Sequence, residues 1–202
     1  METTEAQFTV LGIDVISYSL KPLKEQVQAQ ETLDRCLRQA CDKLWPEDAS
    51  KLHWIDAGDG GFLLACGDEL SVVGIVADFH TRMQDATQMW KKEDRIELRY
   101  ALHTDRIKVW KASWGNKYTG HAINNCARLL SGMNKKQKGQ VVCSGEFYDC
   151  ISTFGNESVV ATRLNNFVDK HNFSHKVYNL ERTPGFGVSP LSRELHVDPL
   201  AN

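Results

Sequence analysis

The sequence contains no apolar run close to the roughly 20 residues that a membrane-spanning helix needs. Its opening stretch, residues 1–7, is polar and acidic, which argues against a secretory signal. It also lacks a Cys-x-x-Cys pair, although it has 6 cysteines, most of which stand alone inside apolar stretches. We therefore expect a cytoplasmic protein without a membrane span, whose cysteines are buried free thiols rather than disulfides or zinc ligands.

An excess of positive charge is missing as well. The chain has 24 Lys and Arg against 26 Asp and Glu, a formal net charge of -2. This balance excludes the strong attraction by which many proteins bind nucleic acid or anionic membranes. A histidine zinc site is not expected either, because Asn172 and Phe173 predict a turn between His171 and His175. An anionic substrate would need local cations or a bound metal.

What is present is a pattern of short apolar segments. It predicts one domain over residues 1–182 and an irregular tail, rich in Pro and Gly, over residues 183–202. Strands are predicted at residues 8–13, 52–57, 62–66, 96–109 with a bend at 104–105, 140–143, 159–164 and 176–180. Helices are predicted between Pro22 and Pro46, at 72–83, at 120–132 and after Ser144. Because strands and helices do not alternate strictly, we expect an α+β fold with helices on one face of a mainly antiparallel sheet.

Two aspartates stand where predicted strands end. Asp14 follows the apolar run 8–13, and Asp59 lies in the glycine turn 58–61 of a predicted hairpin. If that hairpin packs beside the first strand, both turns lie at the same edge of the sheet. Two carboxylates placed in this way can share divalent cations, an arrangement suited to phosphoryl and nucleotidyl chemistry. Each aspartate alone is more typical of a simple turn or helix cap than of a metal ligand.

An amide and a guanidinium form the second candidate group. Asn124 and Arg128 are four residues apart on the predicted helix 120–132, so they share one face. Together they can hold a ribose and a phosphate that gains charge, for which Arg offers a forked, permanently charged clamp. The alternative is a solvated helix face. The neighbours Ile123, Ala127 and Leu130 weaken it, since they predict a half-buried helix with these three residues facing inward.

Together these segments resemble the catalytic domain of the class III nucleotidyl cyclases, which include adenylate and guanylate cyclases. The resemblance spans about residues 8–180 and follows the order of the family's motifs. The matching segments are Asp14–Ser19 (DVISYS), Gly58–Gly60 (GDG), Tyr100–Asp105 (YALHTD), Gly120–Leu129 (GHAINNCARL) and Gly139–Ser144 (GQVVCS). It implies a ferredoxin-like cyclase fold and a homodimer with two sites at its interface.

The resemblance also implies roles for individual residues. Asp14, Asp59 and the Val15 carbonyl would bind two Mg²⁺ or Mn²⁺ per active site. Tyr18 and Ser19 would lie along the triphosphate at the start of the first helix. The remaining positions follow the same correspondence: the ribose would be oriented by Asn124, the transition state stabilised by Arg128, and the terminal phosphates contacted by Lys170.

Two positions depart from the family pattern. Members select their base with a pair of side chains, Lys and Asp in adenylate cyclases and commonly Glu and Cys in guanylate cyclases. The corresponding residues here are Ile55 and Lys117, and an isoleucine cannot hydrogen-bond a purine edge. The departure resembles the pyrimidine cyclases of the bacterial Pycsar antiphage system, whose cyclic UMP or CMP activates a separate effector. Large side chains near the pocket, Trp54 and Tyr18, would favour the smaller ring.

The substrate expected is therefore a pyrimidine nucleoside triphosphate. UTP is favoured because Lys117 can donate to a uracil carbonyl. CTP stays open because Asp56 offers an acceptor for the amino group of cytosine. Three alternatives also remain: an adenylate or guanylate cyclase with an atypical base pocket, a non-catalytic nucleotide-binding module of the same fold, and a ferredoxin-like interaction domain whose Asp-Gly turn is only a turn.

Overall fold

A computed structural model describes residues 3–45, 51–134, 136–153, 157–168, 172, 174–182 and 195–196. The helices are α1 (Leu23–Leu44), α2 (Glu69–Thr87), α3 (His121–Gly132) and α4 (Gly145–Ser152), and a single 3₁₀ turn covers Tyr18–Leu20. The strands are β1 (Thr3–Val15), β2 (Leu52–Asp56), β3 (Gly60–Cys66), β4 (Leu98–Ala112), β5 (Gly115–Thr119), β6 (Val141–Ser144), β7 (Glu157–Arg163), β8 (Phe167–Val168), β9 (Ser174–His175), β10 (Val177–Arg182) and β11 (Leu195–His196).

Within the described residues, nine strands form one sheet in the order β11-β7-β10-β6-β4-β1-β3-β2, with β5 paired to β4. Neighbouring strands are antiparallel except for the pair of β4 and β6. Strands β8 and β9 make a separate antiparallel pair. The predicted α+β class with a mainly antiparallel sheet is confirmed.

Helices cover both faces of this sheet, so the expectation of helices on one face was wrong. Successive side chains of a strand point to opposite faces of the sheet, so each strand contributes to two cores. Leu11, Ile13 and Val15 of β1 belong to the core shared with α1, α2 and α4. Phe8 and Val10 belong to the core under α3. The sheet is thus buried on two sides, and the face of α3 can carry chemistry separate from the larger core.

Helix α3 packs unusually close to the sheet because Gly12 of β1 has no side chain. A Cβ at Gly12 would lie 2.7 Å from the Leu130 side chain and 2.9 Å from Cys126 Sγ. The Cys126 thiol lies 3.3 Å from the Ala101 carbonyl oxygen and is completely buried. The buried stripe of α3 therefore consists of Ala122, Cys126, Leu129 and Leu130. Leu130 was predicted correctly, whereas Ile123 and Ala127 are only partly buried.

Several elements differ from the sequence prediction, and β8 and β9 are among the strands that were not predicted. Strand β4 is continuous through residues 104–105, where a bend was expected, because its ladder with β1 runs without interruption. Strand β5 was not predicted, since its residues are mostly exposed and lack an apolar alternation. Within the tail, β11 pairs with β7, and the other tail residues lie outside the described part of the chain, as does Pro46.

The cysteine prediction agrees with the structure. All six cysteines are free thiols, four of them buried and two half-buried. None of the described helices is both long and apolar enough to cross a bilayer.

Gly60 is expected to be essential for the packing of β3 on β1. Its φ is +152°, and a Cβ would lie 2.0 Å from the Ile13 carbonyl oxygen. Gly60→Ala should therefore lower the free energy of unfolding by about 3 kcal/mol or more. Gly67, at the other end of β3, is the matched control: its φ is +85° but its Cβ would meet nothing within 4 Å. Gly67→Ala should cost only about 1 kcal/mol of backbone strain.

Urea denaturation of both variants measures the difference. Equal losses in the two variants would show that the contact with the Ile13 carbonyl imposes no extra cost.

Candidate active site

The two predicted aspartates meet at one end of the paired strands β1 and β3. In the register of these strands Asp14 lies opposite Gly60, the residue after Asp59. The backbone N–H of Val15 donates to the Asp59 carbonyl oxygen at 2.8 Å. Asp14 is half-buried and Asp59 is exposed. The structure thus places Asp59 in the turn beside Asp14, as the sequence pattern predicted, and Val15, which the family resemblance suggested, lies next to both.

The turn that carries Asp59 is held by local contacts on both sides. Gly58 has a φ of +87°, a conformation that favours glycine. Its N–H donates to the Asp56 carboxylate at 2.8 Å, which is a typical aspartate turn. Its carbonyl accepts a hydrogen bond from Gln30 of α1. The turn is therefore fixed to the helix as well as to β1, which limits the positions that Asp59 can take.

Arg99 is a site residue that the sequence analysis missed. It lies opposite Asp14 on β4, and its Nε and Nη2 donate to Asp14 Oδ2 at 2.9 and 2.6 Å. Its Nη1 donates to the Met133 carbonyl just after α3. The guanidinium uses one oxygen of the carboxylate and places a permanent positive charge beside the two aspartates. The sequence alone gave no signal for it, because its role follows from the cross-strand pairing with Asp14.

Tyr18 and Ser19 follow Val15 closely but do not open the first helix. They belong to the separate 3₁₀ turn, and α1 begins only at Leu23, after Pro22. The expectation that they stand at the start of α1 was wrong, because Pro22 holds an extended conformation between the two segments. Both nevertheless lie within four residues of Val15. Lys170, predicted to contact phosphates, lies outside the described residues.

The second candidate group lies on α3. Asn124 is exposed and Arg128 is half-buried. Arg128 Nη1 donates to the side-chain oxygen of Asn125 at 2.9 Å. Asn125 in turn lies 3.4 Å from His103 Nε2, on β4. The guanidinium is therefore tied to the middle of the sheet through a neighbour that the sequence analysis left without a role.

Within one chain the aspartates and the Asn124–Arg128 group contact different positions along β4. Arg99 holds Asp14, whereas His103, four residues further along β4, contacts the partner of Arg128. Four residues of extended strand span about 13 Å. The register agrees, since Asp14 is paired with Arg99 and Val10 with His103. The aspartates of one chain are thus about four strand residues away from His103, the residue that contacts Arg128 through Asn125 in the same chain.

The two predicted base-contacting residues lie on different strands. Ile55 is half-buried on β2 and packs at the edge of the core under α3. On that strand His53 shares the face of Ile55, and its ring centroid is 5.5 Å from that of Tyr118 on β5. Lys117 precedes Tyr118 and is exposed. This surface is apolar and aromatic. Lys117 is paired with Trp110 of β4, so its side chain leaves β5 on the face opposite to that of Tyr118.

Trp54 does not belong to that surface. It packs against the other core, under α1, and a Cβ on Gly61 would lie 2.4 Å from its ring. The expectation that Trp54 restricts the base pocket was wrong because successive residues of β2 point to opposite faces. Tyr18 packs against the same core as Trp54.

The donors at the β1–β3 edge suit a hard divalent cation. Two carboxylates and a backbone carbonyl are oxygen ligands, which Mg²⁺ and Mn²⁺ prefer. Among the described residues, no group of three or more His, Cys, Asp or Glu side chains comes together. A cation here would therefore take its remaining ligands from water or from a bound phosphate, as Mg²⁺ commonly does.

No protein-family model and no curated protein sequence matches this chain. Among solved structures, the catalytic core of a rhodopsin-guanylyl cyclase with converted specificity, in complex with ATPαS, has a TM-score of 0.71 at 14% identity, covering 90% of this chain and 99% of that chain. The adenylyl cyclase CyaB from P. aeruginosa has a TM-score of 0.67 at 18% identity, covering 91% and 97%. The guanylate cyclase domain of RhGC from Catenaria anguillulae, in complex with GTP, has a TM-score of 0.68 at 13% identity, covering 89% and 98%.

These neighbours are class III adenylyl and guanylyl cyclase catalytic domains, and this chain has their fold. The likeness covers nearly the full length of each neighbour. At such identities it establishes the fold, while substrate and activity have to be argued from the site.

Stability should depend on the protonation of His103. Burial lowers the pKa of His103 below 6.5, although the nearby carboxylates of Glu146 and Asp105 oppose this. The unfolded chain therefore takes up a proton at this residue at a higher pH than the folded protein does. As pH falls below about 6.5, the free energy of unfolding should decrease, and this loss should be absent in His103→Gln.

The measurement is urea denaturation of both proteins between about pH 8 and pH 5. The difference between their curves isolates His103 from the other histidines. Parallel curves would contradict a lowered pKa.

Proposed function

We propose that this protein is a metal-dependent nucleotidyl cyclase that converts a pyrimidine nucleoside triphosphate into its 3′,5′-cyclic monophosphate and pyrophosphate. UTP is the favoured substrate, followed by CTP. The product would be a second messenger in antiviral defence that activates a separate effector, as the resemblance to the Pycsar cyclases implies. We place the reaction in the cytoplasm, where free thiols persist.

One observation carries the proposal: in a cyclase-like fold, Asp14 at the end of β1 lies opposite Gly60, and Asp59 in the preceding turn is hydrogen-bonded to Val15 through its backbone. These carboxylates and the Val15 carbonyl would hold two Mg²⁺ or Mn²⁺. When bound, such cations lower the pKa of the ribose 3′-hydroxyl and neutralise charge on the phosphates. Arg99 adds a permanent positive charge beside Asp14. A structural turn would not need two acids and a half-buried arginine at one point.

The other residues act on the nucleotide. Asn124 would orient the ribose, and Arg128 would stabilise the charge that develops at the α-phosphate as the 3′-oxygen attacks in line. Tyr18 and Ser19, in the turn after Val15, would lie along the triphosphate. Lys170 would contact its terminal phosphates.

Two chains are needed to complete a site in this proposal. The aspartates and the Arg128 anchor of one chain lie about four strand residues apart, held by Arg99 and His103 respectively, about 13 Å along β4. A homodimer would bring the aspartates of one subunit to the Asn124 and Arg128 of the other. Each dimer would then have two equivalent sites.

The base surface supports a pyrimidine. Ile55, with His53 and Tyr118 beside it, offers apolar and aromatic contact in place of the hydrogen bonds that read a purine edge. In this proposal Lys117, which leaves β5 on the opposite face from Tyr118, would reach round with its long side chain to donate to a uracil carbonyl. A purine bound at this surface would have polar edge groups without hydrogen-bond partners, and this cost would favour a pyrimidine.

An adenylate or guanylate cyclase with an atypical base pocket is the second candidate. The observation in its favour is that the fold neighbours are adenylyl and guanylyl cyclases, with ATPαS or GTP in two of them. A nucleotide-binding module without turnover is the third. It is disfavoured because Asp14, Asp59, Asn124 and Arg128 are all present.

Incubation with Mn²⁺ and each of the four ribonucleoside triphosphates separates these candidates. We expect cyclic UMP as the main product, with less cyclic CMP, measured by mass spectrometry. Cyclic AMP or cyclic GMP alone would assign the protein to the second candidate. Binding of a nucleotide without any cyclic product would assign it to the third.

Removal of one carboxylate should abolish turnover. Asp59→Asn is expected to lower kcat at least about 100-fold, because the amide is a poor ligand for a divalent cation. Asp85→Asn is the matched control, an exposed acid on α2 at the other face of the sheet. Undiminished activity of Asp59→Asn, with folding verified by circular dichroism, would exclude the metal role.

Complementation tests the shared site. Asp14→Asn and Arg128→Ala should each be inactive alone. A mixture that has exchanged subunits should regain up to about a quarter of wild-type activity, because half of its molecules are heterodimers with one intact site of two. An inactive mixture, with exchange shown by mass spectrometry, would contradict a site formed by two chains.

A further inference from the structure

A chain of polar contacts joins the guanidinium of Arg128 to the start of α4 through the interior of the protein. Arg128 Nη1 donates to Asn125 Oδ1 at 2.9 Å. Asn125 Nδ2 lies 3.4 Å from His103 Nε2. On the other side of the ring, His103 Nδ1 lies 2.7 Å from Ser144 Oγ. His103 and Ser144 are each only 2% exposed.

The donors and acceptors in this chain fix the position of one proton. A guanidinium only donates, so Asn125 must turn its oxygen to Arg128 and its NH₂ group to His103. The facing nitrogen of His103, Nε2, then has to accept. The imidazole is therefore neutral and carries its proton on Nδ1, toward the Ser144 hydroxyl.

Ser144, the last residue in this series of polar contacts, is held firmly in the fold. Ser144 ends β6, and its Oγ accepts the N–H of Phe147 at 3.2 Å, capping α4. It is held in the sheet by pairing with Val177 of β10. His103 is itself in the middle of β4, opposite Val10. Arg128 is thus oriented from a part of the fold that has little freedom to move.

We infer that His103 and Asn125 are positioning residues: through Asn125, the neutral imidazole holds the Arg128 guanidinium in the orientation in which it meets the nucleotide. This inference rests on the proposed role of Arg128 in nucleotide cyclisation. Neither His103 nor Asn125 touches the substrate in this scheme. Their contribution is to remove the rotational freedom of a long side chain before the reaction begins.

Protonation of His103 would break the arrangement. A charged imidazole donates from both nitrogens, so its Nε2–H would face the NH₂ group of Asn125. The amide would have to rotate and present N–H groups to Arg128, which would no longer have Asn125 as an acceptor. The charged groups that face His103 are Glu146 on α4 and Asp105 on β4, which favour protonation, and His175 on β9, which together with burial opposes it.

Two substitutions of His103 distinguish positioning from simple packing. His103→Gln places an amide oxygen near the position of Nε2 and preserves an acceptor for Asn125. His103→Asn places its polar atoms near Nδ1 and preserves only the contact with Ser144. Asn125→Leu removes the acceptor oxygen that Asn125 offers to Arg128 and keeps a side chain of similar size.

Steady-state kinetics with Mn²⁺ and the best nucleoside triphosphate should separate these variants. His103→Asn and Asn125→Leu should lose about tenfold or more in kcat, while KM changes less than about threefold, because the arginine acts mainly in the transition state. His103→Gln should keep most of the wild-type kcat and lose the decline in kcat at acidic pH. Equal kcat losses in His103→Gln and His103→Asn would overturn the inference.

The position of the proton gives a second readout that needs no turnover. In ¹⁵N-histidine-labelled wild-type protein, His103 should show the Nδ1–H form near neutral pH, its signals being those absent from His103→Gln or His103→Asn. In Asn125→Leu the preference for this form should weaken. A proton on Nε2 in the wild type would overturn the inference whether or not the protein is active, whereas a correct proton position without any cyclic product would refute only the proposed cyclase activity.

Discussion

The hydrogen bond from the Val15 N–H to the Asp59 carbonyl is the constraint on which the site depends. It extends the ladder of β1 and β3 by one step beyond Asp14 and Gly60, and so fixes the turn against the strand end. The close approach is available only because Gly60 has no side chain. Arg99 then holds the carboxylate of Asp14 from the opposite neighbour, β4. The positions of Asp14, Asp59 and Arg99 are therefore set by backbone hydrogen bonds, which are more rigid than contacts between surface side chains.

The two faces of the sheet divide the work of the molecule. The larger core, with α1, α2 and α4, contains most of the buried aromatic and aliphatic side chains. The face of α3 has a smaller core and also carries the buried histidine, the half-buried arginines and the first aspartate. A polar group is tolerated there because each has a partner: Asp14 has Arg99, and His103 has Ser144. The tight seat of α3 on Gly12 keeps these partners at fixed distances.

Local patterns in the sequence were enough to predict the helices, the hairpin and the placement of Asp14 and Asp59 at the same end of neighbouring strands. Apolar periodicity and glycine turns are properties of neighbouring residues. An aspartate that follows each of two adjacent strands is expected at the same end of the sheet. The contributions of Arg99, Asn125 and His103 could not be found in this way, because they arise from contacts across strands that are far apart in the chain. The inward face of α3 was predicted about one residue away from its true position, since the size of Cys126 and the gap at Gly12 decide the seating.

Strand β1 pairs along its whole length with β4, a segment of residues 98–112 that is synthesised much later. Closing so large a loop is slow, because the chain loses conformational entropy before the hydrogen bonds of the ladder have formed to offset that loss. While the chain is still on the ribosome, β1 can pair only with the hairpin strand β3, so one edge of an apolar strand stays uncovered. The same ladder that positions Asp14 thus leaves one strand edge of the nascent protein uncovered, and open to pairing with other chains, until its middle third has emerged.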